Sequence, residues 1–340
     1  MKEFLLRLSE GKSLSEVQMK DAVGMMLNDE AEESEIAAFL MGLKIKGETP
    51  DEIAGMAKAM RENAVGFGKT QGAIDNCGTG GDGASTFNVS STSAFVLASA
   101  GIKVAKHGNR SVSSKTGSAD VLEYLGINLA LSPSESQSLL EEIGITFLFA
   151  PQVHPKLKRI MKVRKQLKIP TAFNLIGPLA NPVDLDYQLV GVYKPEFVPL
   201  FANTLAVLGR KRAVVINGAG SLDEASLAGE NTLAIVEGGQ VNYTTITPDN
   251  VGLPYYANTS IKGGEASQNG EILKGVLKGE KGAYRDTVLL NAGIGLYTAE
   301  AASSIPEGVK LAVEMIDSGA AYKKLEDLRE YSNKFRKEAI

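Results

Sequence analysis

Cys77-Gly78-Thr79-Gly80-Gly81-Asp82-Gly83 is the stretch from which the rest of the chain is read. The short apolar-leaning run Ala73-Ile74-Asp75-Asn76-Cys77 leads into it. Asn88-Val89-Ser90-Ser91-Thr92 and an apolar run from Ala94 to Ala100 follow. The order is strand, glycine turn, helix. Glycines reach positive φ and let a ligand come close to the backbone. A helix start offers unpaired N–H groups and the positive end of a dipole, which together favour an anion such as phosphate. A glycine-rich loop also turns tightly for no ligand at all, so both readings stand at this point. The spacing is neither G-x-G-x-x-G nor G-x-x-x-x-G-K-[ST], and supports neither the dinucleotide fold nor the P-loop.

The 340 residues are enough for two domains at about 100–200 residues each. Hydrophobic content of 44% and charged content of 22% are ordinary for a globular protein. A net charge of −4 argues against a general nucleic-acid binder. The single cysteine, Cys77, excludes an internal disulfide framework and a cysteine-rich zinc site, and suits a reducing compartment. Met1 to Gly11 reads as an amphipathic helix with internal charges rather than a signal peptide, and no apolar run approaches the ~20 residues of a membrane span. The expected location is cytoplasmic.

The first sixty-odd residues read as helices. Ser13-Leu14-Ser15-Glu16 has a capping-box pattern, Ser34 can cap the next helix with Gly47 as its stop, and Thr49-Pro50-Asp51-Glu52 opens another. From Ala73 the pattern becomes α/β. Strands are expected at Ile102–Lys106, Thr146–Ala150, Gln188–Tyr193 and Arg212–Asn217, with helices at Pro133–Ile143 and Pro195–Leu208 between them. Such alternation implies a mostly parallel central sheet with ligands at the strand C-terminal ends. Pro155–Leu167 is helical and basic, and Asp286–Lys337 reads as helices. Gly218–Gly229 and Gly263–Gly270 read as loops, the second as a mobile surface loop.

Lys106-His107-Gly108-Asn109-Arg110-Ser111-Val112-Ser113-Ser114-Lys115-Thr116-Gly117-Ser118 leaves a strand and enters a helix. Its backbone N–H, hydroxyl and cationic groups can wrap an anion and close over it, or can form a solvated basic loop. Two such loops at strand ends favour a polyphosphate over a single phosphate. Asp223-Glu224 follows another strand and a glycine turn. Adjacent carboxylates there can hold Mg²⁺ together with waters and substrate phosphates, or merely enrich a helix start in acid. His107 and His154 are the only histidines, and both fall in strand-end loops. The run Phe173-Asn174-Leu175-Ile176-Gly177-Pro178-Leu179-Ala180-Asn181-Pro182 can wall a flat aromatic ligand or simply join domains.

These segments together resemble the anthranilate phosphoribosyltransferases over essentially the whole chain. The shared motifs are G-T-G-G-D-G at Gly78–Gly83, N-V-S at Asn88–Ser90, K-H-G-N-R at Lys106–Arg110 and G-S-A-D-V-L-E at Gly117–Glu123. F-L-F-A-P with H-P at Phe147–Pro155, F-N-L-I-G-P-L-x-N-P at Phe173–Pro182 and L-D-E-x-S at Leu222–Ser226 complete the set. Where the family usually has a threonine, this chain has Ser91, which keeps the hydroxyl.

The resemblance implies a reaction of anthranilate with phosphoribosyl pyrophosphate (PRPP), the second step of tryptophan biosynthesis from chorismate. It implies a small all-helical domain, residues 1–70 with an inserted segment near 165–185, beside an α/β domain, residues 71–340. A homodimer through the helical domain is expected, with no nucleic acid or membrane as partner. PRPP would lie on Gly78, Gly81, Asp82, Thr86, Asn88, Val89, Ser90 and Ser91. The segment Lys106, His107, Gly108, Asn109, Arg110, Ser111, Val112, Ser113 and Ser114, with Ser118, would cover it. Ser90, Asp223 and Glu224 would bind Mg²⁺. Asn109 and Arg164 would contact anthranilate, with His107 and Pro178 lining its pocket. Lys106, His107 and Arg164 are the expected catalytic residues. Two relatives of the same architecture compete: a pyrimidine nucleoside phosphorylase, which has no need of Asp223-Glu224, and a nucleic-acid-binding protein with a basic groove.

Overall fold

The structure, a computed structural model, describes residues 1–68, 70–110 and 116–337. The chain opens with α1 (Lys2–Ser9), α2 (Glu16–Leu27), α3 (Glu33–Lys46) and α4 (Pro50–Glu62). Caps set their starts. Thr49 accepts from the N–H of Glu52 at the head of α4, and Glu52 bonds back to the Thr49 N–H at 2.8 Å. The capping box of α2 uses Ser15 and Gln18, two residues later than the Ser13–Glu16 pattern suggests. Ser34 lies inside α3, whose N-cap is Glu32, while Gly47 ends it at φ +85° as expected. Buried Met19, Met26, Ile36, Phe39, Leu40 and Met56 form the bundle interior.

The α/β part follows as β1 (Ala73–Gly78), α5 (Val89–Ser99), β2 (Lys103–Gly108), α6 (Ser118–Tyr124), α7 (Pro133–Glu142), β3 (Ile145–Phe149), α8 (Ala150–Val153) and α9 (Lys158–Leu167). Then come β4 (Tyr187–Gly191), α10 (Phe197–Val207), β5 (Arg212–Asn217), β6 (Asn231–Glu237) and β7 (Gln240–Ile246). Helices α11 (Ala266–Leu277), α12 (Ala283–Thr298), α13 (Ile305–Asp317) and α14 (Ala320–Lys337) end it. Among the described residues seven strands form one sheet in the order β3-β2-β1-β4-β5-β6-β7. The first five positions are parallel, and β5-β6-β7 is antiparallel.

Two differences from the sequence reading have plain causes. The β6–β7 hairpin turns through Gly238-Gly239, both at positive φ. That pair between alternating runs is itself a hairpin signal the segment offered. The Gly263–Gly270 segment is not a mobile loop. It enters α11 at Ala266, and Asn269 and Gly270 are buried. A Cβ on Gly263 would lie 2.8 Å from the Phe87 Cα and from the Thr86 carbonyl oxygen, so glycine there permits backbone to press on backbone.

Helix α5 is buried from Val89 to Ala98 apart from Ser90. Two of its hydroxyls are consumed locally: Thr92 donates to the Asn88 carbonyl and Ser93 to that of Val89, each at 2.9 Å. It packs on α12 and α14. The buried helix presents its N-terminus to the carboxyl ends of the strands. Chain connections leave β1 and β4 in opposite directions across the sheet, and the crevice between such strands is where ligands bind in open α/β sheets.

Candidate active site

Asp223 lies at the point where the loops of that crevice meet. Its Oδ2 accepts from the Gly80 N–H at 2.6 Å. A Cβ on Gly78 would lie 2.2 Å from that same oxygen, and one on Gly191 only 1.6 Å from the Asp223 carbonyl oxygen. The glycines at the ends of β1 and β4 therefore make the room Asp223 occupies. Gly80, Gly81 and Gly83 all sit at positive φ, which makes the turn. Glu224 accepts from the Ser90 N–H at 3.2 Å, at the first turn of α5, and the Ser90 hydroxyl supports it as well. The Ser90 carbonyl in turn accepts from Asn76 Nδ2 of β1 at 2.9 Å.

Both acids are pushed well above the ordinary carboxylate range. Burial is the main cause for each, followed by like charge: Asp82 acts on Asp223, and Asp223 on Glu224. Nearby, Thr79 Oγ1, Asp82 Oδ2 and Ser91 Oγ are buried without a hydrogen-bond partner. Carboxylates pressed together among unpaired oxygens fit a hard divalent cation such as Mg²⁺. Among the described residues no group of three or more His, Cys, Asp or Glu is arranged to hold a metal by itself. A cation here would complete its shell with waters and phosphate oxygens.

Other expected phosphate contacts are distributed around this centre. Asn88 is the N-cap of α5, yet its side chain makes no cap hydrogen bond. The Val89 side chain is buried, and its N–H bonds to the Phe87 carbonyl at 2.8 Å. Thr86 forms an isolated bridge with Lys262. Gly81 faces the Tyr193 ring, and Asp82 Oδ1 accepts from the Ala84 N–H at 3.0 Å. Lys106 is buried beneath the loop and donates to the Asn76 carbonyl at 2.9 Å. Gly108 abuts Ser118, whose hydroxyl donates to the Asn109 carbonyl at 3.3 Å. Arg110 turns outward to Asp120 and Glu123 of α6, at 2.9 and 2.7 Å, and is not brought to Asp223 or Glu224. Ser111, Val112, Ser113 and Ser114 lie outside the described residues.

A second wall stands beside β2. His107 Nδ1 donates to the Gly177 carbonyl at 3.0 Å, since a carbonyl can only accept. That bond fixes the tautomer and leaves Nε2 as a buried acceptor with no partner. His154 meets the His107 ring edge-on, with centroids 5.4 Å apart. Burial pushes the His107 pKa down to about 3, helped by His154, and pushes His154 to about 4. Both imidazoles are neutral at neutral pH. Pro178, also buried, accepts through its carbonyl from Gln188, which in turn accepts from Arg210 Nε at 3.0 Å. Arg164 of α9 faces the Phe173 ring at 5.7 Å. Its hydrogen bonds are to neutral atoms, Asn174 Oδ1 and Met161 Sδ, both at 3.1 Å, and burial lowers its pKa. It is a half-buried cation suited to a carboxylate guest.

Sequence reasoning missed the pins that hold these walls. Asp75, fully buried in β1, accepts from Asn181 Nδ2 at 2.9 Å and from the His107 N–H at 3.3 Å. Asn181 Nδ2 also donates to the Ala105 carbonyl at 2.7 Å. The available signal was a carboxylate inside an apolar strand, which must find donors when buried. A cleft of about 1150 Å³ lies elsewhere, between Asn28 and Glu33 on one side and Arg159 and Lys162 of α9 on the other. None of the loop residues above lines it.

The chain is similar to known proteins along nearly its whole length. Residues 2–64 match the helical bundle domain of a glycosyl transferase family, and residues 70–322 match that family's a/b domain. A Bacillus cereus relative named anthranilate phosphoribosyltransferase is 55% identical over 334 residues, covering 98% of each chain. A Bacillus thuringiensis relative of the same name matches with the same identity and coverage. The crystal structure of the Thermus thermophilus anthranilate phosphoribosyltransferase superposes with a TM-score of 0.93 at 39% identity, covering 97% of this chain and 99% of that one. The Saccharomyces cerevisiae enzyme, in complex with PRPP and Mg, superposes at 0.88 with 27% identity, covering 98% and 97%.

Proposed function

The chain belongs to the anthranilate phosphoribosyltransferase family, and we propose that its chemistry takes place in the crevice between the Asp223–Glu224 centre and the His107 wall. It transfers the 5-phosphoribosyl group of PRPP to the amine of anthranilate in tryptophan biosynthesis, with Mg²⁺ as cofactor. The observation that carries the assignment of the site is the placement of two mutually repelling carboxylates at the start of a buried helix and against a glycine turn.

In this reading the glycine turn and the first turn of α5 receive the phosphates of PRPP. Ser90, Asp223 and Glu224 hold Mg²⁺, which when bound neutralises charge on the departing pyrophosphate. Lys106 lies beneath the same loop, donating to the Asn76 carbonyl, where it faces the developing charge. On the other wall Arg164 grips the anthranilate carboxylate and aims the amine at ribose C1, with Asn109 beside it and Pro178 and His107 as lining. An imidazole pushed to about 3 is a weak base, so the anthranilate carboxylate is the better acceptor for the amine proton than His107 through water.

The small helical domain comprises residues 1–70 with the inserted segment near 165–185, beside an α/β domain of residues 71–340. In support, Phe173, Ile176 and Leu179 share an apolar cluster with α1–α4, as do Ile160 and Val163 of α9. Arg159 and Lys162 of α9 also reach Glu32 and Glu33, at 3.2 and 2.6 Å. The cluster runs on into Val190 and Phe201, so the two units are packed together. We assign a homodimer through the bundle, where Leu6, Val17 and Ile45 are exposed apolar side chains. We place the protein in the cytoplasm, which its single cysteine suits.

The direct test is loss of anthranilate fluorescence in the presence of PRPP and Mg²⁺, with Asp223→Asn/Glu224→Gln as control. Mg²⁺-dependent loss in the wild type, lowered on the order of 10³-fold or more in the double variant, is the expected outcome. A fully active double variant would refute the placement of the metal. An inactive wild type that phosphorolyses thymidine or uridine would replace the reaction.

A further inference from the structure

We infer that Asn269 is a positioning residue for PRPP: it sets the orientation of the Asn88 side chain and keeps that side chain from capping α5. The inference rests on the reading of Asn88 and the α5 N-terminus as phosphate contacts.

Hydrogen-bond polarity carries it. The backbone N–H of Gly264 donates to Asn269 Oδ1 at 2.7 Å, and a backbone N–H can only donate. The amide of Asn269 is thereby fixed with its NH₂ group facing away from Gly264. That group donates to Asn88 Oδ1 at 2.9 Å, which fixes Asn88 in turn. The Asn88 NH₂ is left as the free end of the side chain, the end an anion prefers.

A second consequence concerns the helix. An Asn at the N-cap ordinarily turns its oxygen onto the N–H groups of the second or third helical residue. Here Asn88 makes no such bond; its oxygen accepts from Asn269 instead. The N–H groups of the α5 first turn are therefore not closed off by their own cap. Of these, the Val89 N–H goes to the Phe87 carbonyl and the Ser90 N–H to Glu224.

Asn269 is 2% exposed and rigidly mounted on the first turn of α11. The preceding segment is strapped to the phosphate loop by Phe87 N–H to the Ile261 carbonyl at 3.1 Å and Gly263 N–H to the Ser85 carbonyl at 2.9 Å. Thr116 Oγ1 donates to the Gly264 carbonyl at 2.7 Å, so the same strap reaches the base of the Lys106–Ser118 segment. A stretch that reads as an idle glycine loop thus sets the polarity of a substrate contact about 180 residues away in sequence, Asn269 bonding Asn88 across 181 positions.

The test compares Asn269→Asp with Asn269→Ala, measuring PRPP binding by calorimetry and the KM for each substrate. Aspartate keeps the size of the side chain and the acceptor for Gly264, but cannot donate to Asn88 when ionised. Asn88 then turns its NH₂ inward, presents its oxygen to the phosphate and is free to cap α5. Expected is PRPP affinity about tenfold or more weaker in the Asp variant and about threefold weaker in the Ala variant, with KM for anthranilate within about twofold of wild type. A purely structural role gives the reverse order, alanine worse than aspartate, and would overturn the inference, as would unchanged PRPP affinity in Asn269→Asp. If the Asp variant does not fold, Asn269→Ala decides: unchanged PRPP affinity overturns the inference and a selective loss supports it. A wild type that binds no PRPP would instead remove the reading beneath it.

Discussion

On one side of Lys106 the molecule gathers negative charge, and on the other it removes charge. Asp223 and Glu224 are held close by Gly80 and Ser90 although burial raises the proton affinity of both, with Asp82 adding to it at Asp223 and Asp223 adding to it at Glu224. His107 and His154 are packed ring to ring, and burial keeps both neutral. The first region tolerates an unfavourable arrangement that a cation would relieve. The second is a buried wall beside a half-buried cation, Arg164, whose contacts are neutral. A fold stabilised only for itself would carry neither the repelling acids nor the desolvated guanidinium. Each is legible as one half of an interaction with a ligand, a metal polyphosphate on one side and a flat carboxylate on the other.

The sharpest way to break that division is Arg164→Ala. It should lower kcat/KM for anthranilate by about 10²–10³ while KM for PRPP stays within about twofold, read by steady-state kinetics with each substrate varied. An equal loss for PRPP would show that the two walls do not act separately.

Asn181→Ala probes the joint between them. It leaves Asp75 Oδ2 and the Ala105 carbonyl without their shared donor, with a cost of about 2–3 kcal/mol in urea unfolding. Stability unchanged to within about 0.5 kcal/mol would mean that the pin between β1, β2 and the Phe173–Pro182 wall is dispensable.

The smallest effect is the most telling about charge. Each histidine has a folded pKa, about 3 for His107 and about 4 for His154, below its unfolded value of about 6.5. The unfolded chain therefore binds more protons between those limits, and stability falls as pH drops from about 6.5. The two acids have folded values above their unfolded ones of about 4, so the folded chain binds the extra protons and stability falls as pH rises above about 4. The two slopes oppose each other in mildly acidic solution. Mg²⁺ should cancel only the second, raising Tm at pH 8 by about 2 °C more than at pH 5, while His107→Gln flattens the acid limb. An Mg²⁺ increment independent of pH would count against metal binding at the raised carboxylates.

Much of this was readable along the chain. Gly78–Gly83 announced a turn because a run of glycines before a helix has few other uses, and Thr49-Pro50-Asp51-Glu52 announced α4 because capping is local. Asp223-Glu224 stood out as adjacent acids after a glycine turn. The pins did not stand out: Asp75 and Asn181 are 106 positions apart, and Asn269 and Asn88 are 181 apart. A lone asparagine in a helical pattern carries no sign of the partner it will meet. Arg110 shows the converse, since its motif suggested the phosphate site and the structure spends it on Asp120 and Glu123.

By itself the sequence determined the α/β alternation, the helical start, the glycine turn and the residue types of both walls. These follow from short-range rules: periodicity, caps and backbone freedom. Only the tertiary structure decided which end of the Asn88 amide faces where, that Asp223 would be pressed into space left by Gly78 and Gly191, and that His107 would be neutral. Those outcomes depend on burial and on the direction of hydrogen bonds between distant segments, and burial and direction exist only once the strands are side by side.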